Sequence, residues 1–491
     1  MSDTLAANPD MIDGSSRLTF PLVVDLDGTL LKVDSIYELF VAALFDKPLS
    51  TIVSLLELRN GIAAFKRRLS EISPLNIGEL PVREGFLAYL NEQAAAGREI
   101  HLATAAWRSI ALGVAEKFPI FKTVQSTDEH INLKGVKKAE RLSRLFPSGF
   151  VYAGDSRADL PVWQGAKGAV VVSPSRSLCA AVQSTGVDIE KVFEDKPTRP
   201  KAWLWVRAAR PHQWTKNAVV LVPLILGWRD VTFPGLLATL AEIAVLCLAA
   251  SLTYIVNDLA DLSSDRKHWS KRRRPFASAA IPVRDGLLLV GFALPATGLL
   301  AFLISPAAGI FVLAYIVLTL GYSFGWKRIP LFDAFMIASL FVIRVLIGIA
   351  AASLIPSAWL LTFSMFFFFS LALSKRHTEI LRAAHHGLDQ LEGRGYRTKD
   401  EDLVLTFGIC ASIASVVIVV IYLVEEVFAR RIYSAPDWLW VAPIAIFLFI
   451  CRIWMLSHRG IMTDDAVAFA LRDRVSLGLG FLVAVAILLA Q

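Results

Sequence analysis

The stretch "IVNDLADLSSDRKHWSKRRRP" (255–275) places Asp258, Asp261 and Asp265 at i, i+3 and i+7, sets Asn257 four residues before Asp261, and follows them with a dense run of lysine and arginine. On a helix these side chains share one face. A cluster that offers only oxygen suits a hard cation such as Mg²⁺, and a cation held there would in turn hold a substrate's phosphates. A diphosphate needs positive charge beyond the metal, and Arg273 or Arg274 at the edge of the cluster could supply it. Two plainer readings stand beside this one: the basic run serves membrane topology, and Asp265 lies on a solvated face.

A second set of reactive residues lies near the N-terminus. "VVDLDGTLL" puts Asp25 and Asp27 just after an apolar strand, "HLATA" presents Thr104, "GVKKAERL" offers Lys137 and Lys138, and "VYAGDSRADL" supplies Asp155 and Asp159. Phosphoryl transfer needs these parts: a carboxylate to attack phosphorus, a metal and a lysine to neutralise phosphate oxygens, and a second acid for the leaving alkoxide. A lone DxDGT is also an ordinary turn, but turn chemistry does not explain four motifs in this order.

Two unlike halves must position these residues. Residues 1–195 have soluble composition, with short apolar runs alternating with helical stretches, which predicts an α/β, Rossmann-like parallel sheet. Residues 35–95 read as a small helical cap inserted between the first two strands, and its apolar "YELFVAALF" could rest on the membrane or on the other half. A linker at 196–212 carries Pro197 and Pro200, with Trp203 and Trp205 suited to a membrane interface.

Residues 213–491 read as an all-α polytopic membrane domain of about nine crossings, centred near Val222, Val245, Pro295, Tyr315, Ser339, Phe366, Ser415, Ile446 and Val483, the first of them short. Connections of one parity carry Arg266, Lys267, Lys271 to Arg274, Arg284, Lys327, Arg328, Lys375, Arg376 and further cations, whereas those of the other parity carry Arg229, Arg430 and Arg431. That asymmetry predicts a multi-pass protein of a bacterial inner membrane with its N-terminal domain in the cytoplasm. The first residues carry acidic groups and no apolar core, unlike a secretory signal.

The chain has 491 residues, a mean hydropathy of +0.54 and 55% hydrophobic residues, which is lipid-embedded rather than soluble composition. Its net charge of +7 sits in short segments between apolar runs, a pattern that argues for a membrane and against nucleic acid. Cys179, Cys247, Cys410 and Cys451 are far apart and show no disulfide or zinc spacing.

Over residues 18–190 the motifs resemble the haloacid dehalogenase superfamily of phosphatases. The resemblance implies Asp25 as nucleophile and Asp27 as general acid/base, both with Mg²⁺, together with Thr104 as phosphate ligand, Asp155 as metal ligand and Asp159 behind it. Lys138 fits the family spacing after Gly135, while the adjacent Lys137 leaves the choice open. "NDLADLSSD" and "RRRPFASAAI" resemble the first aspartate-rich motif of the UbiA-type prenyltransferase superfamily, which implies Asn257, Asp258, Asp261 and Asp265 as Mg²⁺ ligands.

The second aspartate pair of the quinone and chlorophyll branches is missing, and "LALSKRHTEILRAAHHG" stands in its place. With "RPHQWTKN", "YSFGWKR", "FVIRVLIGIAA" and "FALRDRVS", this resembles the branch of decaprenyl-phosphate phosphoribosyltransferases. The resemblance implies phosphoribosyl pyrophosphate and a polyprenyl phosphate as substrates. Both carry anionic groups that a second acidic cluster would repel. Lys216, Lys327, Lys375 and Arg376 are then expected as phosphate ligands, and Glu379 as an orienting group or a ribose ligand. Arg344, in an apolar span, either faces a cavity or pairs with a carboxylate. Tyr322, Asp333, Asp465, Arg472 and Asp473 are further candidates.

The fused phosphatase is expected to remove the product's 5-phosphate. Alternatives are prenyl transfer to an aromatic acceptor, a non-catalytic membrane anchor for the phosphatase, and a phosphatase for an unrelated small ester.

Overall fold

The computed structural model describes residues 20–194, 199–391, 393–429, 433–462, 469–470 and 473–490. The chain forms two compact units, one of Met1–Trp205 with Asp258–Gly286 and one of Val206–Asn257 with Leu287–Gln491.

In the first unit, six strands make a parallel sheet in the order β3-β2-β1-β4-β5-β6: β1 Leu22–Val24, β2 Ile100–Trp107, β3 Phe121–Thr127, β4 Val151–Gly154, β5 Gly168–Val172 and β6 Ile189–Phe193. β1, β4 and β5 are buried along their whole length, as expected of strands covered on both faces. The strand order reverses beside β1, where Val24 pairs with Leu102 on one side and Ala153 on the other. Loops leaving the C-terminal ends of β1 and β4 therefore meet at the point where parallel α/β sheets bind ligands. Between β1 and β2 the helices Ser35–Asp46, Pro48–Ser54 and Ile62–Ile72 form the expected insert. The apolar "YELFVAALF" is largely inward: Leu39, Val41 and Ala43 are buried.

In the membrane domain, seven helices among the described residues are long and apolar enough to cross a bilayer: Phe233–Ala260, Val283–Ile304, Pro306–Phe324, Phe332–Ala351, Ala358–His385, Thr398–Phe428 and Pro436–His458. Arg474–Ala490 is apolar but shorter. The expected count of nine differs most at Val222, where Pro211–Leu221 is a run of 3₁₀ turns followed by the short helix Val222–Leu226. Pro211 and Pro223 cannot donate backbone hydrogen bonds, and the polar "HQWTKN" offers side-chain alternatives to an α ladder. Within the second unit this segment lies hard against the helix Phe332–Ala351: a Cβ on Gly348 would stand 2.1 Å from the Val220 carbonyl oxygen.

Gly348→Val should thus destabilise the solubilised protein by about 1–3 kcal/mol through forced separation of the two segments. Gly298→Ala, within the helix Val283–Ile304 where a Cβ meets nothing within 4 Å, should not lower the melting temperature. Thermal unfolding in one detergent compares the two.

Candidate active sites

The turn after β1 holds Asp25 at the sheet edge, its amide bonded to the Ala153 carbonyl of β4 at 2.9 Å. Gly28 adopts φ +75°, and a Cβ there would fall 2.1 Å from Oδ2 of Asp155, so glycine is required both for the turn and for the approach of that carboxylate. Arg83 fastens the same turn by donating to the carbonyls of Gly28 at 2.7 Å and Thr29 at 3.0 Å. Thr104 is fully buried on β2, one residue past the partner of Asp25 in the strand register, and its hydroxyl accepts from the Ala106 amide.

Asp25, Asp155 and Asp159 each offer a carboxylate oxygen, all within 4.8 Å of one another. Three carboxylates at that spacing repel, and the local cation is Lys138. Its Nζ lies 3.0 Å from Asp25, 3.6 Å from Asp159 and 2.8 Å from the Tyr152 hydroxyl, which in turn donates to Asp159 at 2.9 Å. Lys137, the other lysine considered, is exposed on the outer side of its helix beside Arg108, Arg141 and Arg144. Asp27 turns the other way and accepts from the Ser35 amide at 3.0 Å and the Ser35 hydroxyl at 2.9 Å, at the start of the first cap helix.

The electrostatics follow from this burial. Burial pushes Asp25 up to about 6, with Asp159 adding to the shift and Lys138 opposing it. Burial, then Asp34 and Asp25, raise Asp27 to about 7. Burial, then Asp25 and Asp159, raise Asp155 to about 8. Burial works against the charged form of Lys138, but Asp25 and Asp159 outweigh it and leave its pKa above the usual lysine value. A site of converging hard oxygens with too few cations fits Mg²⁺. Tyr152, Ser35 and Arg83 escaped the sequence reading because nothing in their spacing ties them to the motifs.

The first unit also contains the aspartate-rich segment. Its helix ends at Ala260, Asp261 turns the chain, and a six-residue helix, Leu262–Lys267, follows, so the three aspartates do not continue along one helical face. Asp258 and Asp265 are 2% and 1% exposed and share Nη1 of Arg274, at 3.2 and 2.6 Å. Asp265 is therefore not solvated. Burial is the main cause that raises its pKa, against the pull of Arg274. A cation bridging Asp258 and Asp265 would have to displace that guanidinium, and no three carboxylates of this segment converge as those of the phosphatase-like site do among the described residues. This arrangement is an ion pair that does not fit a metal as it stands. Asp261 and Asn257 are partly exposed, and Arg273 is exposed in the short 3₁₀ turn Lys271–Arg273.

In the second unit, Arg376 is 1% exposed and fully engaged: with Asp333 at 2.6 Å, with Glu379, and with the Tyr322 hydroxyl at 3.4 Å. Arg394 joins the group, 2.9 Å from Tyr322, 3.3 Å from Asp333 and 3.6 Å from Glu379, while Tyr396 donates to Asp333 at 2.5 Å. Nothing in the sequence pattern ties Arg394 or Tyr396 to this group. Lys375 is partly exposed within electrostatic reach of Glu379. Lys216 and Lys327 are also partly exposed, and Lys216 lies within electrostatic reach of Tyr254.

Arg344 has no carboxylate partner among the described residues. It donates to Asn217 at 3.0 Å, the Leu340 carbonyl at 2.7 Å and Tyr315 at 3.3 Å. Asp473 is paired with Arg452 at 2.8 Å. Asp465 and Arg472 lie outside the described residues, as do Arg430 and Arg431.

Residues 218–482 match the model of the UbiA prenyltransferase family, and residues 22–164 that of haloacid dehalogenase-like hydrolases. The chain belongs to the UbiA prenyltransferase family. It is a membrane transferase of that family joined to a haloacid dehalogenase-like phosphatase domain. It is 39% identical to the uncharacterized protein y4nM of Sinorhizobium fredii over 96% of this chain and 91% of that one. It is also 29% identical to the decaprenyl-phosphate phosphoribosyltransferase of Mycobacterium tuberculosis over 57% of this chain and 93% of that one. A UbiA homolog from Archaeoglobus fulgidus, solved with DMAPP and Mg²⁺, superposes with a TM-score of 0.43 at 14% identity, over 58% of this chain and 96% of that one.

Two outcomes are expected. Burial raises Asp25, Asp27 and Asp155 to about 6, 7 and 8, so metal-free protein binds more protons than the unfolded chain between about pH 4 and 8, and these groups cost stability as pH rises through that window. Mg²⁺ must displace those protons, so calorimetric Mg²⁺ affinity should strengthen from pH 5.5 to 8 with proton release, and Asp155→Asn should abolish it. Separately, Asp333→Asn should cost about 1–3 kcal/mol in thermal unfolding, because it removes one of the two carboxylates that buried Arg376 and its neighbour Arg394 share and leaves Glu379 to balance both.

Proposed function

We propose that the membrane domain, residues 213–491, transfers 5-phosphoribose from phosphoribosyl pyrophosphate to a polyprenyl phosphate. The N-terminal domain, residues 1–195, joined through the linker 196–212, then removes the 5-phosphate. The observation that carries the reading is the cluster at the end of the helix Ala358–His385. Where a second aspartate pair would grip a prenyl diphosphate, this chain has Arg376 and Arg394 organised by Asp333, Glu379 and Tyr322, with Lys375 beside them. Cations there suit an acceptor phosphate and a sugar phosphate. The relative named as a decaprenyl-phosphate phosphoribosyltransferase supports the same reading.

In the transfer step, the bond from ribose C1 to the pyrophosphate oxygen breaks with its electron pair on the leaving group, and an oxygen of the lipid phosphate forms the new bond to C1. Arg274, steadied by Asp258 and Asp265, and Arg273 beside it would meet the departing pyrophosphate. Lys216, Lys327 and Lys375 would hold the acceptor and 5-phosphate oxygens, while Arg376 keeps Glu379 and Tyr322 in place rather than binding phosphate itself.

In the hydrolysis step, Asp25 attacks the 5-phosphorus and the ribose O5 leaves with a proton from Asp27, whose pKa of about 7 suits that exchange. Water, giving its proton back to Asp27, then cleaves the aspartyl phosphate. Lys138 and Thr104 neutralise and orient the phosphate, and Mg²⁺ held by Asp25 and Asp155, with Asp159 behind them, would supply charge stabilisation at phosphorus.

The nine-crossing topology is part of the proposal. Trp205 and Asp258 belong to one compact unit. In this topology the candidate span Phe233–Ala260 runs toward the cytoplasm, and the chain between Trp205 and Phe233 supplies a further crossing. Eleven 3₁₀ residues and five α residues rise roughly 30 Å, one hydrocarbon thickness. Positive-inside asymmetry puts the N-terminal domain in the cytoplasm.

Incubation with radiolabelled phosphoribosyl pyrophosphate and polyprenyl phosphate, followed by lipid extraction, is the test. Wild-type protein should yield lipid-linked ribose, Asp25→Asn should accumulate the 5-phosphorylated lipid, and Arg274→Gln should lower transfer about 100-fold. Label that stays in the aqueous phase with active wild-type protein refutes the transfer.

A further inference from the structure

One segment of the cap is built inside out. In Pro48–Ser54 and the 3₁₀ turn Leu55–Asn60, the buried side chains are Thr51 and Ser54, whose hydroxyls turn back to the carbonyls of Lys47 and Thr51. The large apolar side chains face outward: Leu49 is 79% exposed, Val53 61%, Ile52 and Leu56 57% each, and Leu55, Leu58 and Ile62 are exposed too. A water-facing helix buries leucine and exposes serine. Seven large apolar side chains open within fourteen residues form a patch that needs an apolar partner.

The same unit indicates what that partner is. Glu38, 4% exposed on the first cap helix, holds the Arg266 guanidinium through two bonds, at 2.7 and 3.0 Å. Glu79, at the end of the cap, accepts from Ser263 at 2.5 Å and pairs with Lys267 at 2.8 Å. Leu262–Lys267 is too short to hold a direction of its own, so these contacts and the Asp265–Arg274 pair fix it. Ala279 packs against the N-terminal core as well. The clamped segment begins two residues after Ala260, the last residue of a helix long and apolar enough to cross a bilayer. It continues through Trp269, 80% exposed, into Lys271, Arg272 and Arg273, the side chains that favour a lipid headgroup region.

We propose that the apolar face Leu49–Ile62 docks into the cytoplasmic leaflet of the bilayer, so that the cap admits phosphate esters carried on lipid. This rests on the reading of the N-terminal domain as a phosphatase for a lipid-linked product and names how it selects that substrate. The cap is tied to the turn that bears Asp27, whose carboxylate accepts from the amide and hydroxyl of Ser35 at the first residue of the cap, so the lipid-seated element and the catalytic turn are directly joined.

The test uses the full chain in nanodiscs of phosphatidylcholine and phosphatidylglycerol, with a benzophenone amino acid replacing Val53. Photolysis should yield a phospholipid adduct at Val53, whereas the same group at exposed Leu112, on the sheet domain, should give none. Cross-links from position 53 to a second copy, to another part of this chain or to an added soluble protein would overturn the proposal, as would absence of any lipid adduct.

A second variant, L49S/I52S/V53S/L56S, should lose at least ten-fold in kcat/KM toward the lipid-linked phosphate while hydrolysing p-nitrophenyl phosphate as wild type does. Equal rates on both substrates would overturn the proposal. If wild type forms the lipid adduct but hydrolyses no lipid-linked phosphate, the substrate reading falls and the docking stands.

Discussion

Charge taken out of water has to be cancelled where it stands, and each candidate site of this protein is an answer to that constraint. In the phosphatase-like site, three carboxylates and one lysine leave negative charge uncompensated, and burial together with that mutual repulsion raises the pKa values of Asp25 and Asp155. At the aspartate-rich segment, one arginine spans two buried carboxylates. In the membrane unit, Arg376 and Arg394 share Asp333 and Glu379, and two tyrosine hydroxyls complete the network. The first site is arranged to recruit a cation. The other two already carry their own counter-charges.

The constraint also ties distant parts of the chain together. Glu38 and Arg266 are separated by 228 positions, yet both are nearly out of water and each is the other's counter-charge. That pair gives the cap of the phosphatase-like domain a fixed neighbour in the segment carrying Asp258 and Asp265. The same cap helix begins at Ser35, which is bonded to Asp27, and the residue before Arg266 is Asp265, which is bonded to Arg274. The protein is more than two enzymes on a string: residues 258–286 belong to the membrane domain by order along the chain and to the N-terminal unit by packing.

Much of the phosphatase-like site was legible beforehand because its motifs sit at ends of parallel strands, and strand order in such a sheet brings those ends together. Asp25 and Asp155 meet for that reason. Of the two neighbouring lysines, helical geometry sends one inward and one outward, but only the packed sheet says which: Lys138 meets Asp25 and Tyr152, and Lys137 faces solvent. On the membrane side, spacing read the aspartates as one face of one helix, and the turn at Asp261 undid it. Arg376, expected from the resemblance as a phosphate ligand, is paired with Asp333 and Glu379, a pairing that the sequence did not mark. Arg394 and Tyr396 lay in a loop with no period to mark them.

What the sequence determined by itself was local and compositional: apolar runs long enough to span lipid, strands that alternate with helices, and clusters of acids and bases whose types select phosphate chemistry. These follow from hydrophobic transfer and backbone geometry over a few consecutive residues. The tertiary structure decided which charges cancel which, because a counter-ion is chosen by distance in space and by exclusion of water. Glu38 with Arg266, Arg274 with two aspartates, and the outward leucines of the cap all depend on surfaces that exist only once remote segments have packed.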